Sequence, residues 1–426
     1  MAIGAWAALL AAGVLGGASL CAGFVVPRRR LWLPTLAGTA ALLGLAAATA
    51  VVWRLYSRSD TSVAAVMIGL AASLGGFALA ASLWPDLLER RRTTPTTVEP
   101  GEDDGALHVI VLTDAEPEHY SPAYVAAAMR DLEQSEIPVP PEAVRTFFYA
   151  QERARYRRIG SSPARPVARA VAVRTSTLLS AQGFEGHASV AFCAGSPSLA
   201  DELAAGVRAG GRRFVVALLA TADSREVDRA KRDAARLEVW RHGIEIVYTS
   251  PLWSAAGVTE MLADRVLEAF ERKPDDQDGV VLVAEGQPWQ WDRTHPAAAE
   301  HATFLCQRVR AELVTAGLCE DKVRTAWLEW DDPGVTEVVR HLAALGCRRI
   351  LIVPVTLPFD SVTTLLDLRS SADQAAVDEG VTVGVLPAWG DDPAVAAALC
   401  DRILEAAREL GPHEKGHHAA AGEAPS

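Results

Sequence analysis

The sequence predicts an α/β protein with three transmembrane helices at its N-terminus and a soluble body of two parallel-sheet halves. Three observations predict it. Three apolar runs open the chain, at about Ala2–Val26, Leu31–Trp53 and Ser62–Trp84. Each is long enough to cross a hydrocarbon core of roughly 30 Å at about 1.5 Å of helix rise per residue. Beyond residue 105, short β-branched runs alternate with helical patterns, as in parallel strands joined by crossover helices. The third observation is an internal echo. Gly210-Gly211-Arg212-Arg213 before an apolar run is matched by Gly346-Cys347-Arg348-Arg349 before another.

The apolar runs set the expected topology. Met1 to Trp6 carries no basic residue, which argues against a cleaved signal segment. Arg28–Arg30 follow the first run and Arg90–Arg92 the third, so both clusters fall on one side of a three-span bundle. Basic loops stay in the cytoplasm, so the N-terminus is expected outside and the body inside, a multi-pass cell-membrane protein. No charged residue lies within a run, which favours an anchor in the lipid bilayer over a transport path. The small residues of Gly13–Gly17 and Gly75-Gly76 would let helices pack closely, within one chain or between copies in a homo-oligomer. Residues 1–92 hold eight arginines against Asp60, Asp86 and Glu89, a net of +5, which leaves −17 for the rest of a chain of net −12. So acidic a body excludes nucleic acid as a partner.

After the anchor (1–92), residues 93–105 read as a polar linker of Thr, Pro, Glu, Asp and Gly. The first α/β half, 106–272, has expected strands at His108–Leu112, Ala188–Cys193, Arg213–Leu219 and Glu245–Tyr248. The second, 279–410, has them at Gly279–Val283, Val323–Leu328, Arg349–Val355 and Val381–Leu386. Helical patterns fall between them, at Ser198–Arg208, Pro296–Thr315, Val335–Leu345 and Pro393–Glu409. The halves are Rossmann-like, join near Lys273–Asp278 and should enclose a cleft at their strand ends. Residues 411–426 read as a disordered tail. The six cysteines show no CxxC spacing, so neither a zinc site nor a redox motif is signalled.

Gly346–Arg369 reads as a buried strand ended by Pro354, a turn through Asp360, and a helix capped by Ser361 or Thr363. This stretch resembles the strand–loop–helix of ferrochelatases. Pro354, Asp360 and Thr364-Leu365 match the family's framework, with Ser361 at its histidine and Thr363 at its catalytic glutamate. Tyr156–Pro163 resembles the family's N-terminal signature, and the resemblance implies ligand contacts from Tyr156, Ser162 and Ser361. Leu386–Pro393 is similar to its closing segment. Val281–Pro288 is similar to a strand end reading Ser-Ala-His-Gly-x-Pro, with Glu285 at the histidine. The resemblance implies a chelatase-like body and insertion of Fe²⁺, as substrate or ligand, into a tetrapyrrole. Some members hold an iron–sulfur cluster near the C-terminus; only Cys400 lies there, so none is expected.

Metal insertion needs a base for two pyrrole N–H protons and a route for a divalent ion. With the family's histidine and glutamate replaced, Glu285 becomes the expected proton acceptor and metal ligand. Asp360 and Thr363 are its expected partners at the strand ends. Asp114-Ala-Glu-Pro117, with Glu118 after it, stands where the family has glycines. Trp289 and His295 follow the Glu285 strand end directly, where an aromatic face could stack on a flat ligand. Three readings fit these residues: a divergent tetrapyrrole chelatase, an enzyme repurposed for another small molecule with Glu285 as acid or base, and a non-catalytic porphyrin- or haem-binding relative.

Overall fold

The computed structural model describes residues 2–25, 67–77, 80, 98–184 and 188–410. The expected span Leu31–Trp53 and the tail 411–426 lie outside the described residues. The chain forms two compact units, Met1–Thr93 with Pro117–Ser162, and Thr94–Glu116 with Pro163–Ser426.

The first unit is helical. Helix α1 covers Ala2–Val25, with described side chains at 7 and 10–22, and a second helical stretch covers 67–77. These two stretches meet through glycine. A Cβ on Gly13 would lie 2.8 Å from Ala72 Cβ, and one on Gly17 or Gly76 would collide with the facing backbone. The small residues expected to pack helices are thus used inside the chain at these three positions. Among the described residues no helix is long and apolar enough to cross a membrane, so the three expected spans are without support there. Helix α2 (Pro122–Gln134) is capped by Ser121, whose hydroxyl accepts from Tyr124 N at 3.4 Å. Helix α3 (Glu142–Ile159) packs on α1, and Cys21, Ala126 and Tyr149 form the buried centre.

The second unit carries eight strands in two wholly parallel sheets. The first sheet holds β1 (Leu107–Thr113), β2 (Ala188–Phe192), β3 (Arg213–Leu218) and β4 (Glu245–Tyr248), in the order β2-β1-β3-β4. The second holds β5 (Asp278–Ala284), β6 (Val323–Trp327), β7 (Arg349–Pro354) and β8 (Thr382–Val385), in the order β6-β5-β7-β8. The two orders are the same, and the Gly-x-Arg-Arg echo falls at equivalent strands, β3 and β7. Several expected strands ran one residue too far. Cys193, Leu219, Leu328 and Val355 still donate their amides to neighbouring strand carbonyls, but the chain there is already turning out of the sheet.

The helices of this unit are α4 (Ala164–Ala181), α5 (Leu199–Ala209), α6 (Arg225–Ala235), α7 (Ala256–Ala269), α8 (Trp289–Asp292), α9 (Pro296–Thr315), α10 (Val335–Ala344), α11 (Arg369–Glu379) and α12 (Pro393–Glu409). Alternate strand residues serve different cores, as the period of two requires. Val280, Leu282 and Ala284 of β5 join Val109 and Val111 of β1 in a central core with α4, α7, α9 and α12. Val281 and Val283 face an outer core with α10 and α11, and Ile110 and Leu112 face another with α5 and α6. The echo has a physical cause. Gly210 and Gly346 end α5 and α10 in left-handed conformations, φ +113° and +90°, which cost glycine no Cβ clash.

The described part of the expected linker, residues 98–105, is docked on the second unit. Val98 is buried, Gly101 N donates to Val207 O at 3.0 Å, and Arg212 Nη2 donates to Gly101 O at 2.6 Å. Residues 98–105 therefore dock at the end of α5. Their polar composition gave no sign of those backbone pairings.

Candidate functional site

In each sheet the chain leaves the first strand toward one neighbour and returns to the strand on its other side. The carboxyl ends of β1 and β3, and of β5 and β7, are therefore switch points, where α/β sheets leave a crevice. The residues just past these ends are Asp114 after β1 and Glu285 after β5. Thr356, just past β7, ties the region together. Its hydroxyl accepts from Glu285 N at 2.8 Å, and its carbonyl accepts from Thr221 Oγ1 at 2.8 Å. Thr221 follows β3, so this bond joins the carboxyl ends of the two sheets.

Glu285 and Asp114 are both exposed residues by surface area, yet neighbouring protein atoms and charges crowd each carboxyl. The Glu285 pKa is pushed up to about 8, first by burial and then by the charges of Asp114, Glu226 and Glu329. The Asp114 pKa is also raised, by burial and then by Glu226, while Arg229 and Arg165 pull it back. Cys193, just past β2, has a thiol pKa well above the usual range, through burial and the charges of Asp114 and Glu226. Arg165 is pinned beneath this end of the sheet. It donates to Ala115 O, Ser196 O and Ala194 O at 2.8–3.2 Å. A carboxyl with a pKa near 8 exchanges protons readily near neutrality, which an ordinary glutamate does not.

The other expected site residues divide. Asp360 is committed to the loop, accepting from Thr364 Oγ1 at 3.2 Å and Ala388 N at 3.4 Å. Ser361 caps the helix that follows, its hydroxyl accepting from Thr364 N at 3.2 Å. Thr363 is not the cap; it lies in the first turn, ahead of a π-helical segment at Thr364–Leu368. It lines a cavity of about 380 Å³ with Glu329, Asp332, Glu337, Arg340 and Asp367, and Glu285 is not in that lining. Glu116 Oε1, past β1, accepts from Val362 N at 2.7 Å, so the β1 loop reaches the start of this helix.

Trp289 is exposed, with the Arg293 guanidinium 4.8 Å from its ring centre. His295 shares contacts with Thr294 Oγ1 at 2.9 Å and Asp228 Oδ2 at 3.4 Å. Tyr156 and Ser162 belong to the helical unit. There Tyr156 Oη donates to Pro117 O at 2.9 Å and Ser162 N to Glu118 O at 2.8 Å. Among the described residues no three His, Cys, Asp or Glu side chains are grouped to hold a metal ion.

Asp114, Glu226 and Glu329 were not anticipated as members of the site. Asp114 was within reach of sequence reasoning, because it follows β1 as Glu285 follows β5 in the repeated unit. Glu226 and Glu329 lie on a helix start and a loop with no local motif, and only folding brings their charges to Glu285.

A family model described as Ferrochelatase matches residues 129–407. A ferrochelatase of Deinococcus radiodurans is 25% identical over 190 residues, 42% of this chain and 59% of that protein. A ferrochelatase of Geobacter sp. (strain M21) is 25% identical over 267 residues, 59% of this chain and 81% of its own. A coproporphyrin III ferrochelatase of Streptomyces griseus is 33% identical over 85 residues, 20% of this chain and 23% of its own. The matches to the Deinococcus, Thermosynechococcus vestitus and Arabidopsis thaliana relatives span 59%, 42% and 40% of those proteins. Among solved structures, SirB from Bacillus subtilis with Fe³⁺ is similar at a TM-score of 0.44 and 15% identity, over 72% of this chain and 98% of that one.

Proposed function

Because this chain belongs to the ferrochelatase family, whose model spans residues 129–407, we propose that it inserts a divalent metal ion into a tetrapyrrole, with Glu285 as principal proton acceptor. One observation carries this reading: Glu285 ends a central strand at a switch point with its pKa raised to about 8. Insertion releases two N–H protons. A carboxylate of ordinary pKa, about 4.3, is a poor acceptor for them, whereas one near 8 is matched to neutral solution. At pH 7 about a tenth of such a group is ionised. An approaching cation increases that fraction, because positive charge favours the carboxylate.

Asp114, on the equivalent strand of the other sheet, is the second acceptor. Glu285 stands in the family's histidine position and Thr363 in its glutamate position, so the chemistry is divergent. The metal, Fe²⁺ or Co²⁺, is substrate, and Glu285 acts toward it as one carboxylate rather than as part of a resident metal site. The test is anaerobic insertion of Fe²⁺ or Co²⁺ into protoporphyrin by the purified chain, followed in the Soret band. The wild type should turn over and Glu285→Ala should not. Porphyrin binding without insertion would instead mark a binding protein.

Residues 1–92 complete the proposal as a membrane anchor, with the N-terminus outside and the body cytoplasmic. Its support is the three apolar runs and the arginines at 28–30 and 90–92. Activity of a periplasm-only reporter fused after Arg92 would contradict it.

A further inference from the structure

Two arms leave the strand ends at the candidate site and meet each other. One is α6, which follows β3 of the first sheet; the other is α8, which follows β5 of the second, just past Glu285. They touch at two points. The Arg225 guanidinium lies 5.3 Å from a ring centre of Trp291, and His295 Nε2 donates to Asp228 Oδ2 at 3.4 Å. The arms are not held alike. Helix α6 buries Val227, Ala230 and Ala234, and its Lys231 Nζ donates to both oxygens of Asp223 at 2.8 and 2.9 Å. Helix α8 is four residues long and buries none of them. The bonds from Gln287 Nε2 to Asp292 Oδ1 and His295 O, at 2.6 and 3.1 Å, stitch α8 to its own loop and not to the body.

The bridge is also weak where it closes. A cation–π pair and a half-exposed ion pair each contribute little near the surface, and Arg232 shares the Asp228 carboxylate. The Trp291 indole N–H is buried with no acceptor among the described residues, a cost that water relieves on opening. The sheets are tied separately, by the buried bond from Thr221 Oγ1 to Thr356 O, so α8 can lift while they stay.

We infer that α8 is a lid, latched to α6 through Arg225–Trp291 and Asp228–His295, that parts to pass a flat macrocycle into and out of the Glu285 site. The inference rests on the tetrapyrrole reading. A latch closed both before and after binding sets the barrier to passage and leaves the two end states alike. Loosening it therefore speeds association and dissociation together, whereas loss of a ligand contact acts mostly on dissociation.

The test is stopped-flow binding and release of protoporphyrin IX by the purified full-length chain, beside thermal unfolding of the same samples. Arg225→Ala and Asp228→Ala should each speed both steps about twofold to fivefold and leave Kd within about twofold. Their unfolding midpoints should match the wild type. Unchanged rates in both variants would overturn the inference, and so would faster release alone, which would make these residues ligand contacts. A fall of several degrees in both midpoints would overturn it too, by showing that the two pairs hold the body together. Hydrogen exchange of the wild type is independent of the variants: amides of 289–295 should exchange about tenfold or more faster than those midway along α9. Equal protection would overturn the lid. A wild type that binds no porphyrin would sink the tetrapyrrole reading itself, an outcome distinct from a binding wild type with indifferent variants.

Discussion

Replacing Glu285 by glutamine should change stability in a way that depends on pH. In the folded chain the Glu285 pKa is raised to about 8 from an ordinary 4.5. Between those values the folded state holds a proton that the unfolded state has lost. Stability from this group is therefore complete below about pH 4.5 and is lost as pH rises through about 8. The full shift would be worth several kcal/mol. Because the side chain also touches solvent, screening leaves about 1–2 kcal/mol at pH 8–9. Glutamine has a similar volume and does not titrate. Urea denaturation from pH 5 to 9 should show Glu285→Gln gaining on the wild type as pH rises, by about 1–2 kcal/mol at the alkaline end. Parallel stability curves would show that Glu285 titrates like a surface glutamate, and the proton-acceptor role would fail with them.

Two further changes probe the same region. Asp114→Asn removes the largest charge contribution to the Glu285 shift after burial, so the alkaline limb of a pH–insertion profile should move to lower pH; an unmoved limb would show that Asp114 and Glu285 act independently. Thr356→Val deletes the acceptor for Glu285 N–H and should cost about 0.5–1.5 kcal/mol in chemical denaturation, the net worth of a partly buried hydrogen bond. A cost below 0.5 kcal/mol, the low end for a hydrogen bond, would place that amide in water instead.

The parallel sheets were legible because their strands announce themselves. Runs such as Arg349–Pro354 are apolar on both faces, which only a doubly covered sheet satisfies. The glycine–arginine echo was legible because the same helix ending recurs before β3 and β7. Residues 93–105 were read as a polar linker, and the docking of 98–105 was not legible because a backbone amide such as Gly101 N leaves no mark in composition when it pairs at distance. Glu285 could be found because it stands at a strand end within a motif. Its raised pKa could not, since that depends on Glu226 and Glu329, brought near only by the fold. Asp360 was expected to act on ligand, yet its carboxylate holds Thr364 and Ala388 N. An acid at a turn has the same sequence signature whether it secures the loop or serves a site.

The central claim is that Glu285 takes protons from the macrocycle with a pKa near 8. The most direct measurement is the rate of Co²⁺ insertion into protoporphyrin from pH 6 to 9.5, for the wild type and Glu285→Gln. The wild-type rate should climb with pH and level off above about 8, as the carboxylate becomes ionised. Glu285→Gln should be slower by about 10²-fold or more and should lack that limb. A variant as fast as the wild type, or one that keeps the same limb, would contradict the account.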